Sequence, residues 1–159
     1  MAMDEISILR EGTIRICSHL EVEDVLQSCF LYLRSFIPIR RMYLHLEYPE
    51  TRRMNFIARA GLVKAEQLDL TMTVPLEHHD QFLEYESYVR SVGDQIFSFG
   101  EPDALATHIF DFLEEPHSSA MGLGFVVGEG MPIGGVTVFA EGDEHFTEEQ
   151  TDLLRILKE

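Results

Sequence analysis

The stretch MYLHLEYPETRRMNFIARA, residues 42–60, has the alternating pattern of two β-strands joined by a short polar loop. Apolar side chains occupy every second position over 42–48 and again over 54–60, and most positions between them are polar. A period of two is the repeat of a strand that buries one face, and 49–53 is polar and short enough to connect neighbouring strands. The stretch therefore predicts an antiparallel hairpin of half-buried strands.

Two helices are predicted before the hairpin, over residues 4–20 and 22–37. In the second, apolar side chains recur at steps of three and four residues, acidic residues lie in or near the first turn, and Pro38 terminates the helix. In the first, Ile8 and Ile14 widen the apolar stripe beyond what one neighbouring element needs. These two side chains contact either a partner subunit or loops of the same chain.

The alternation resumes after the hairpin and predicts a third strand from Leu68 to Leu76, with one buried face. The pattern over 77–118 is less regular. Three elements are predicted there: a helix or irregular loop over 81–90, a short strand over 95–99, and a short helix capped by Asp103 that ends near Leu113.

Two further strands, over 121–127 and 133–139, flank a glycine-rich turn. Thr147 and Gln150 have the spacing of a capping box that begins a final helix. That helix reaches Glu159 without a glycine cap or a proline stop, as expected of a piece cut from a longer protein. Antiparallel hairpins between terminal helices predict an α+β fold, with an antiparallel sheet and helices collected on one face.

The charge and composition of the chain exclude several classes of function. Of 159 residues, 12 are basic and 28 acidic, and residues 65–159 hold three of the basic and twenty of the acidic groups. A surface this acidic repels a phosphate backbone, so direct nucleic-acid binding is not expected. No apolar run approaches the roughly 20 residues of a membrane helix, and the acidic amino terminus is not a targeting peptide. Cys17 and Cys29 are far apart, as expected of reduced thiols in a cytoplasmic protein.

Short phrases in the last third of the chain are similar to those of a known family. They are Ser118-Ser119 before an apolar strand, Ile133-Gly134-Gly135-Val136 after the tight turn, and Phe146-Thr147-Glu148-Glu149 before Leu153-Leu154. With the helix pair before the first hairpin, they resemble the GAF domain family, and in detail the amino-terminal GAF domains of bacterial sigma-54-dependent transcriptional activators. The resemblance implies one domain over 3–159, with a PAS-like antiparallel sheet of about six strands. It also implies terminal helices on one face and a variable loop and helix segment over a small-molecule pocket on the other.

If the middle segment folds over the sheet as the resemblance implies, its polar side chains and those of the polar-leaning strand faces converge on a ligand. Arg90 is the one Lys or Arg between Glu66 and Glu115. Its guanidinium either binds an anionic ligand or neutralises its acidic neighbours. The predicted ligand-binding residues are Tyr43, Arg59, Thr71, His78, His79, Tyr85, Tyr88, Arg90 and His108.

Metal binding and catalysis are not predicted. The histidines and acids of the middle segment lack an ordered ligand spacing, so no metal ligand is assigned. A reductase with a GAF-like fold works through cysteines in the middle of the domain, whereas Cys17 and Cys29 lie on apolar faces of the predicted early helices, where a thiol is inert. The family's cyclic-nucleotide signature is missing, and no catalytic residue or cofactor is assigned.

The sequence therefore predicts a non-enzymatic regulatory domain that senses an unidentified small-molecule effector. The terminal helices are expected to form a homodimer and to pass the ligand state to a downstream regulatory domain. This mechanism requires an effector that binds the two states of the domain differently. A GAF-like dimerisation module without a ligand is an alternative prediction, and a GAF-fold reductase is a further one.

Overall fold

The computed structural model describes residues 21–92, 95–99, 104–115, 119–126, 132–141 and 146–150. Its strands are β1 (Ile39–Tyr48), β2 (Arg53–Gly61), β3 (Glu66–Thr73), β4 (Gln95–Phe99), β5 (Ala120–Val126) and β6 (Ile133–Ala140). These six strands of the described residues form one antiparallel sheet in the order β3-β2-β1-β6-β5-β4. The predicted α+β fold is confirmed, and β1 and β6 lie side by side in the middle of the sheet although they are far apart in sequence.

Helices of the described residues cover both faces of this sheet. They are α1 (Val22–Arg34), α2 (His79–Val92) and α3 (Ala104–Phe112). On one face, called the α1 face, Phe30 belongs to the same buried cluster as Met42. On the other, called the α2–α3 face, Phe82 and Phe110 belong to a buried cluster with Phe56. The middle segment of the sequence therefore covers the face opposite α1, as the family resemblance implied.

Helix α1 begins at the predicted residue and ends three residues earlier than predicted. Leu26, Phe30 and Leu33 recur at helical steps and are its buried residues. The backbone N–H of Ser35 still donates a hydrogen bond to the carbonyl oxygen of Tyr32 in the last helical turn. A residue that precedes proline is disfavoured in the helical conformation, so the chain leaves the helix before it reaches Pro38.

A β-bulge decides which residues of β2 lie on which face. Leu44 pairs with Ala58, but His45 pairs with Phe56, so Ile57 is the extra residue of the bulge. Ala58 consequently belongs to the core of the α1 face and Phe56 to that of the α2–α3 face. The prediction that the apolar positions of this strand share one face is wrong, because one extra residue reverses the alternation.

Strand β3 is an edge strand and ends at Thr73, earlier than the predicted Leu76. Met72 and Val74 are buried, but Leu70 and Leu76 expose 43% and 73% of their surface. Leu70 lies on an edge strand, which has a neighbouring strand on one side only, and Leu76 lies beyond the strand in the 3₁₀ helix Leu76–His78. The predicted continuous buried face is therefore confined to part of the segment.

The less regular segment after β3 contains the predicted strand and helices. Residues 81–90 lie within α2, residues 95–99 form β4, and the predicted short helix is α3. The capping box is also present. The Thr147 backbone N–H donates to Gln150 Oε1 at 2.9 Å, and the Gln150 backbone N–H donates to Thr147 Oγ1 at 3.2 Å.

Some predicted elements lie outside the described residues. They are the helix over 4–20, the cap at Asp103, the glycine-rich turn at 128–130 and the end of the final helix. The extent of one domain over 3–159 stays a prediction. Among the helices that are described, none combines the length and the apolar character needed to cross a bilayer.

Candidate functional site

A cavity of about 460 Å³ lies between the sheet and the two helices of the α2–α3 face. Its wall is largely aromatic and aliphatic. The apolar lining includes Met54, Phe56, Phe82, Tyr85, Tyr88, Leu105, Ala106, Ile109, Phe110 and Leu113, and the polar lining includes His45, Glu47, Gln81, Glu84 and Thr137. Cavities of this size, with a few polar groups on an apolar wall, are typical of small-molecule sites.

Two glycines of the sheet make room for side chains that shape this cavity. A Cβ atom on Gly124 would lie 2.7 Å from the hydroxyl oxygen of Tyr85. A Cβ atom on Gly135 would lie 2.4 Å from Cε1 of His45. Both distances are shorter than van der Waals contact, so the two rings can rest on the sheet because these positions lack a side chain.

His45 and Glu47 form a buried polar pair on β1. They are two residues apart on one strand and so share a face, and they expose 4% and 3% of their surface. Nδ1 of His45 lies 3.4 Å from Oε1 of Glu47, and Nε2 of His45 lies 3.0 Å from Oγ1 of Thr137. Among the described residues, Nδ1 of His45 and Oε2 of Glu47 have no hydrogen-bond partner. Each such buried atom costs about 1–3 kcal/mol, so a ligand that bonded to both would be stabilised.

Burial keeps both groups of this pair uncharged near neutral pH. Loss of hydration lowers the pKa of His45 to about 4. It raises the pKa of Glu47 to about 8, and the negative charge of Glu86 contributes second. The approach of the two side chains is therefore a contact between a neutral imidazole and a neutral carboxylic acid, not an ion pair. Burial, followed by the effect of Glu47, raises the pKa of Tyr85 well above its ordinary value.

Two of the nine predicted ligand-binding residues, Tyr85 and Tyr88, line the cavity. They are three residues apart on α2, and Phe82 is three residues before Tyr85. Because residues at this spacing share a helix face, α2 presents three aromatic rings to the cavity.

Arg90 and Arg59 lie outside the cavity lining and pair with acidic neighbours. Nε of Arg90 lies 2.7 Å from Oε1 of Glu86, one turn earlier on α2. This contact favours the alternative in which Arg90 neutralises its neighbours. Arg59 donates a hydrogen bond to Glu66. It lines a separate groove of about 420 Å³ together with Arg40, Arg41 and Lys64.

Tyr43 and Thr71 are also away from the cavity wall. Tyr43 is buried in the core of the α2–α3 face, and its hydroxyl lies 3.4 Å from Oε1 of Glu115. Thr71 is exposed on the opposite face of the sheet, because its neighbour Met72 is buried in that same core. The Thr71 hydroxyl donates to Oδ1 of Asn55 at 3.2 Å.

The predicted histidines lie at the start of α2 and on α3. Nε2 of His79 is 3.2 Å from the carbonyl oxygen of Pro49, and the rings of His78 and His108 are 6.4 Å apart. None of the three is among the residues that line the cavity. Within the described ranges, no group of three or more His, Cys, Asp or Glu side chains is placed to hold a metal ion.

Several solved structures are similar to this one over nearly its whole length. A phycocyanobilin-bound GAF domain from a cyanobacterial phytochrome matches with a TM-score of 0.58 at 15% identity, covering 95% of this chain and 87% of that one. The chain has the GAF fold. The GAF domain of a phosphoenolpyruvate-protein phosphotransferase from Coxiella burnetii matches with a TM-score of 0.53 at 16% identity, covering 98% and 89%. That of a two-component sensor histidine kinase from Bacillus halodurans gives 0.51 at 13% identity, covering 86% and 88%.

No protein-family model matches the sequence, and no curated protein matches it. At these identities, the similarity to solved structures concerns the GAF fold. What the cavity of this GAF fold can bind has to be argued from its own side chains.

The predicted ligand-binding residues do not include His45 and Glu47, the buried polar pair of this GAF fold, although the polar strand face that carries His45 was expected to look toward the pocket. Both occupy polar positions of the alternating run 42–48, and this indicates that they share a face. The pattern does not show that this face is buried, because its burial depends on α2 and α3. The available signal was a His and a Glu two residues apart between the apolar side chains of Leu44 and Tyr48.

Proposed function

We propose that this chain is a sensory GAF-fold domain whose cavity binds a small-molecule effector without converting it. The observation that carries the proposal is the buried pair of His45 and Glu47. Each presents a polar atom that has no partner among the described residues, and both side chains line an otherwise largely apolar cavity. A few placed polar groups in an apolar surround fix the orientation of a ligand and select it.

The charges around the cavity favour a neutral or cationic effector over an anion. Its described lining includes the carboxyl groups of Glu47 and Glu84 and no Lys or Arg. Arg90 and Arg59, which were predicted to bind a ligand, pair with Glu86 and Glu66, and neither of these acids belongs to the cavity lining. An anion buried in the cavity would lose its hydration without gaining a countercharge.

We further propose that the effector acts by changing how the middle segment packs on the sheet. A ligand in the cavity contacts α2 and α3 as well as β1, so its binding energy can favour one arrangement of these helices. The terminal helices of a homodimer would pass this change to a downstream regulatory domain. In its narrower form, the proposal is a cytoplasmic sensor domain of a bacterial sigma-54-dependent activator. The GAF fold supports the general form, and the phrases in the last third of the sequence support the narrower one.

The position of Cys29 supports a sensor over a thiol enzyme. Cys29 is partly buried and packs against the core of the α1 face, across the sheet from the cavity. A thiol in apolar surroundings is a poor nucleophile because burial disfavours the thiolate. Replacement of Cys29 should therefore leave effector binding unchanged.

A thermal-shift screen with a cavity-filling variant tests the proposal. Ala106 lines the cavity and is 4% exposed, whereas Thr107 is exposed on the same helix. A true effector should raise the Tm of the wild type and of Thr107→Phe but not that of Ala106→Phe. At a ligand concentration of 100 Kd, the expected stabilisation is about 2.7 kcal/mol.

The screen should include neutral, cationic and anionic compounds and metal ions. Stabilisation that persists in Ala106→Phe would place the ligand outside the cavity. A screen without any stabilising compound would contradict the proposed sensory function.

A further inference from the structure

The two unpartnered atoms of the buried pair define the chemistry of the group that would bind them. If Nε2–H of His45 donates to Oγ1 of Thr137, at 3.0 Å, then Nδ1 of His45 is an acceptor. Oε2 of Glu47 is an acceptor whenever the carboxyl group is ionised. Two neighbouring acceptors call for a ligand group with at least two N–H or O–H donors. A primary ammonium group has three donors and no acceptor.

The rest of the cavity also favours a positive charge. The described lining of the cavity holds the carboxylate of Glu84 and no Lys or Arg, whereas Glu86, which is close enough to act on Glu47, is paired with Arg90. The aromatic rings of α2 face the same space, and the faces of such rings attract cations. The aliphatic part of the wall would contact the apolar part of a ligand but offers it no hydrogen-bond partner.

We propose that the effector is an organic amine, whose apolar body fills the aromatic part of the cavity and whose ammonium group donates hydrogen bonds to Glu47 Oε2 and His45 Nδ1. The inference rests on the proposed sensory function of the same cavity. It selects one chemical class from the neutral and cationic molecules that the cavity charges allow.

Binding of an ammonium ion releases a proton from the protein. In the free protein at neutral pH, Glu47 is protonated, because burial raises its pKa to about 8. The amine arrives already protonated and pairs with the carboxylate of Glu47, so the carboxyl proton goes to water and charge is conserved. Among the described residues, the other titratable groups that line the cavity with Glu47 or act on it are His45 on the same strand and Glu84, Tyr85, Glu86 and Tyr88 on α2, and Glu86 is paired with Arg90.

Two of these groups are shifted away from the neutral range. His45 stays neutral there because its pKa falls to about 4, and Tyr85 stays protonated because its pKa is raised. Release of the Glu47 proton therefore makes amine affinity rise with pH. Below about pH 8 the expected rise is roughly tenfold per pH unit.

Isothermal titration calorimetry with three compounds of one shape tests the inference. The probes are 2-phenylethylamine, 2-phenylethanol and 3-phenylpropanoate, each measured between about pH 6 and pH 8. We expect the amine to bind at least about tenfold more tightly than the alcohol at pH 8. Its affinity should rise with pH while that of the alcohol stays constant, and the carboxylate should bind more weakly than both. Near pH 7, comparison of buffers with different ionisation enthalpies should show release of close to one proton.

The variant Glu47→Gln removes the charge and keeps the shape of the neutral acid. It should bind the amine no more tightly than the alcohol, and its affinity for the amine should not depend on pH over this range. Asp111→Asn is the matched control, because Asp111 is an exposed acid of α3 outside the cavity lining.

The possible failures can be told apart. Equal binding of amine and alcohol at pH 8, or a pH dependence that survives in Glu47→Gln, would overturn the amine assignment and leave the cavity as an effector site. Absence of binding by all three compounds would count against the proposed function and against the amine assignment with it.

Discussion

Replacement of Glu47 by glutamine should change how the stability of the protein depends on pH. Burial raises the pKa of Glu47 to about 8 in the folded state, from 4.5 in the unfolded chain. Between these values the folded state holds a proton that the unfolded chain has released, so the free energy of unfolding falls as pH rises. His45 acts in the opposite sense. Its pKa is about 4 when folded and 6.5 when unfolded, so its contribution rises with pH up to 6.5.

The magnitude follows from these two opposing slopes. They cancel between pH 4.5 and 6.5, and above 6.5 the slope of Glu47 is left, at about 1.4 kcal/mol per pH unit. The wild type should therefore lose about 2 kcal/mol of unfolding free energy between pH 6.5 and 8. Glu47→Gln should lose no unfolding free energy through position 47 between pH 6.5 and 8. Below pH 6.5, the free energy of unfolding of Glu47→Gln should rise with pH, whereas that of the wild type is nearly constant.

Urea denaturation followed by circular dichroism, from about pH 5.5 to pH 8.5, measures this difference. Asp111→Asn is again the control for loss of one negative charge, and it should keep the wild-type slope. Parallel stability profiles for the wild type and Glu47→Gln would refute the reasoning. They would mean that Glu47 is hydrated or ionised in the folded protein and that its burial does not hold the proton.

Two further predictions concern the packing of the sheet. Gly135→Ala would place a Cβ atom 2.4 Å from Cε1 of His45, so the ring must move, and a destabilisation of about 1–3 kcal/mol is expected in urea denaturation. An unchanged midpoint would show that the ring does not rest on Gly135. Phe30→Ala removes the fully buried aromatic ring of α1 and should lower the free energy of unfolding by about 3–5 kcal/mol. Leu31→Ala, at a position that is 56% exposed, should cost less than about 0.5 kcal/mol, and equal costs would contradict the assigned buried face of α1.

Much of the fold could be predicted because its signals are local. The helical steps over 22–34, the alternation over 42–48 and the reciprocal hydrogen bonds of Thr147 and Gln150 each involve residues close together in the chain. Local conformational preference and amphipathic patterning act over such distances. The order of these elements was then enough to predict an α+β fold with an antiparallel sheet.

Part of the candidate site was anticipated, because the family resemblance placed the middle segment over the sheet. Tyr85 and Tyr88 share one helical face, so a ligand over that face would meet both. For Arg90 the sequence left two alternatives open, and the geometry of its contact with Glu86 favours neutralisation. Arg59 was assigned from strand alternation, but the structure places it in a separate groove where it pairs with Glu66.

The sequence by itself determined the order of the described strands and the unequal distribution of charge, but it left residues 81–90 as either a helix or a loop. Only the tertiary structure decided which side of the sheet each residue of β2 occupies, because one bulged residue, Ile57, reverses the alternation. It also decided that His45 and Glu47 are buried and uncharged. Their pKa values depend on how much water α2, α3 and the sheet exclude together, and that exclusion is a property of the packed neighbourhood, not of two residues on one strand.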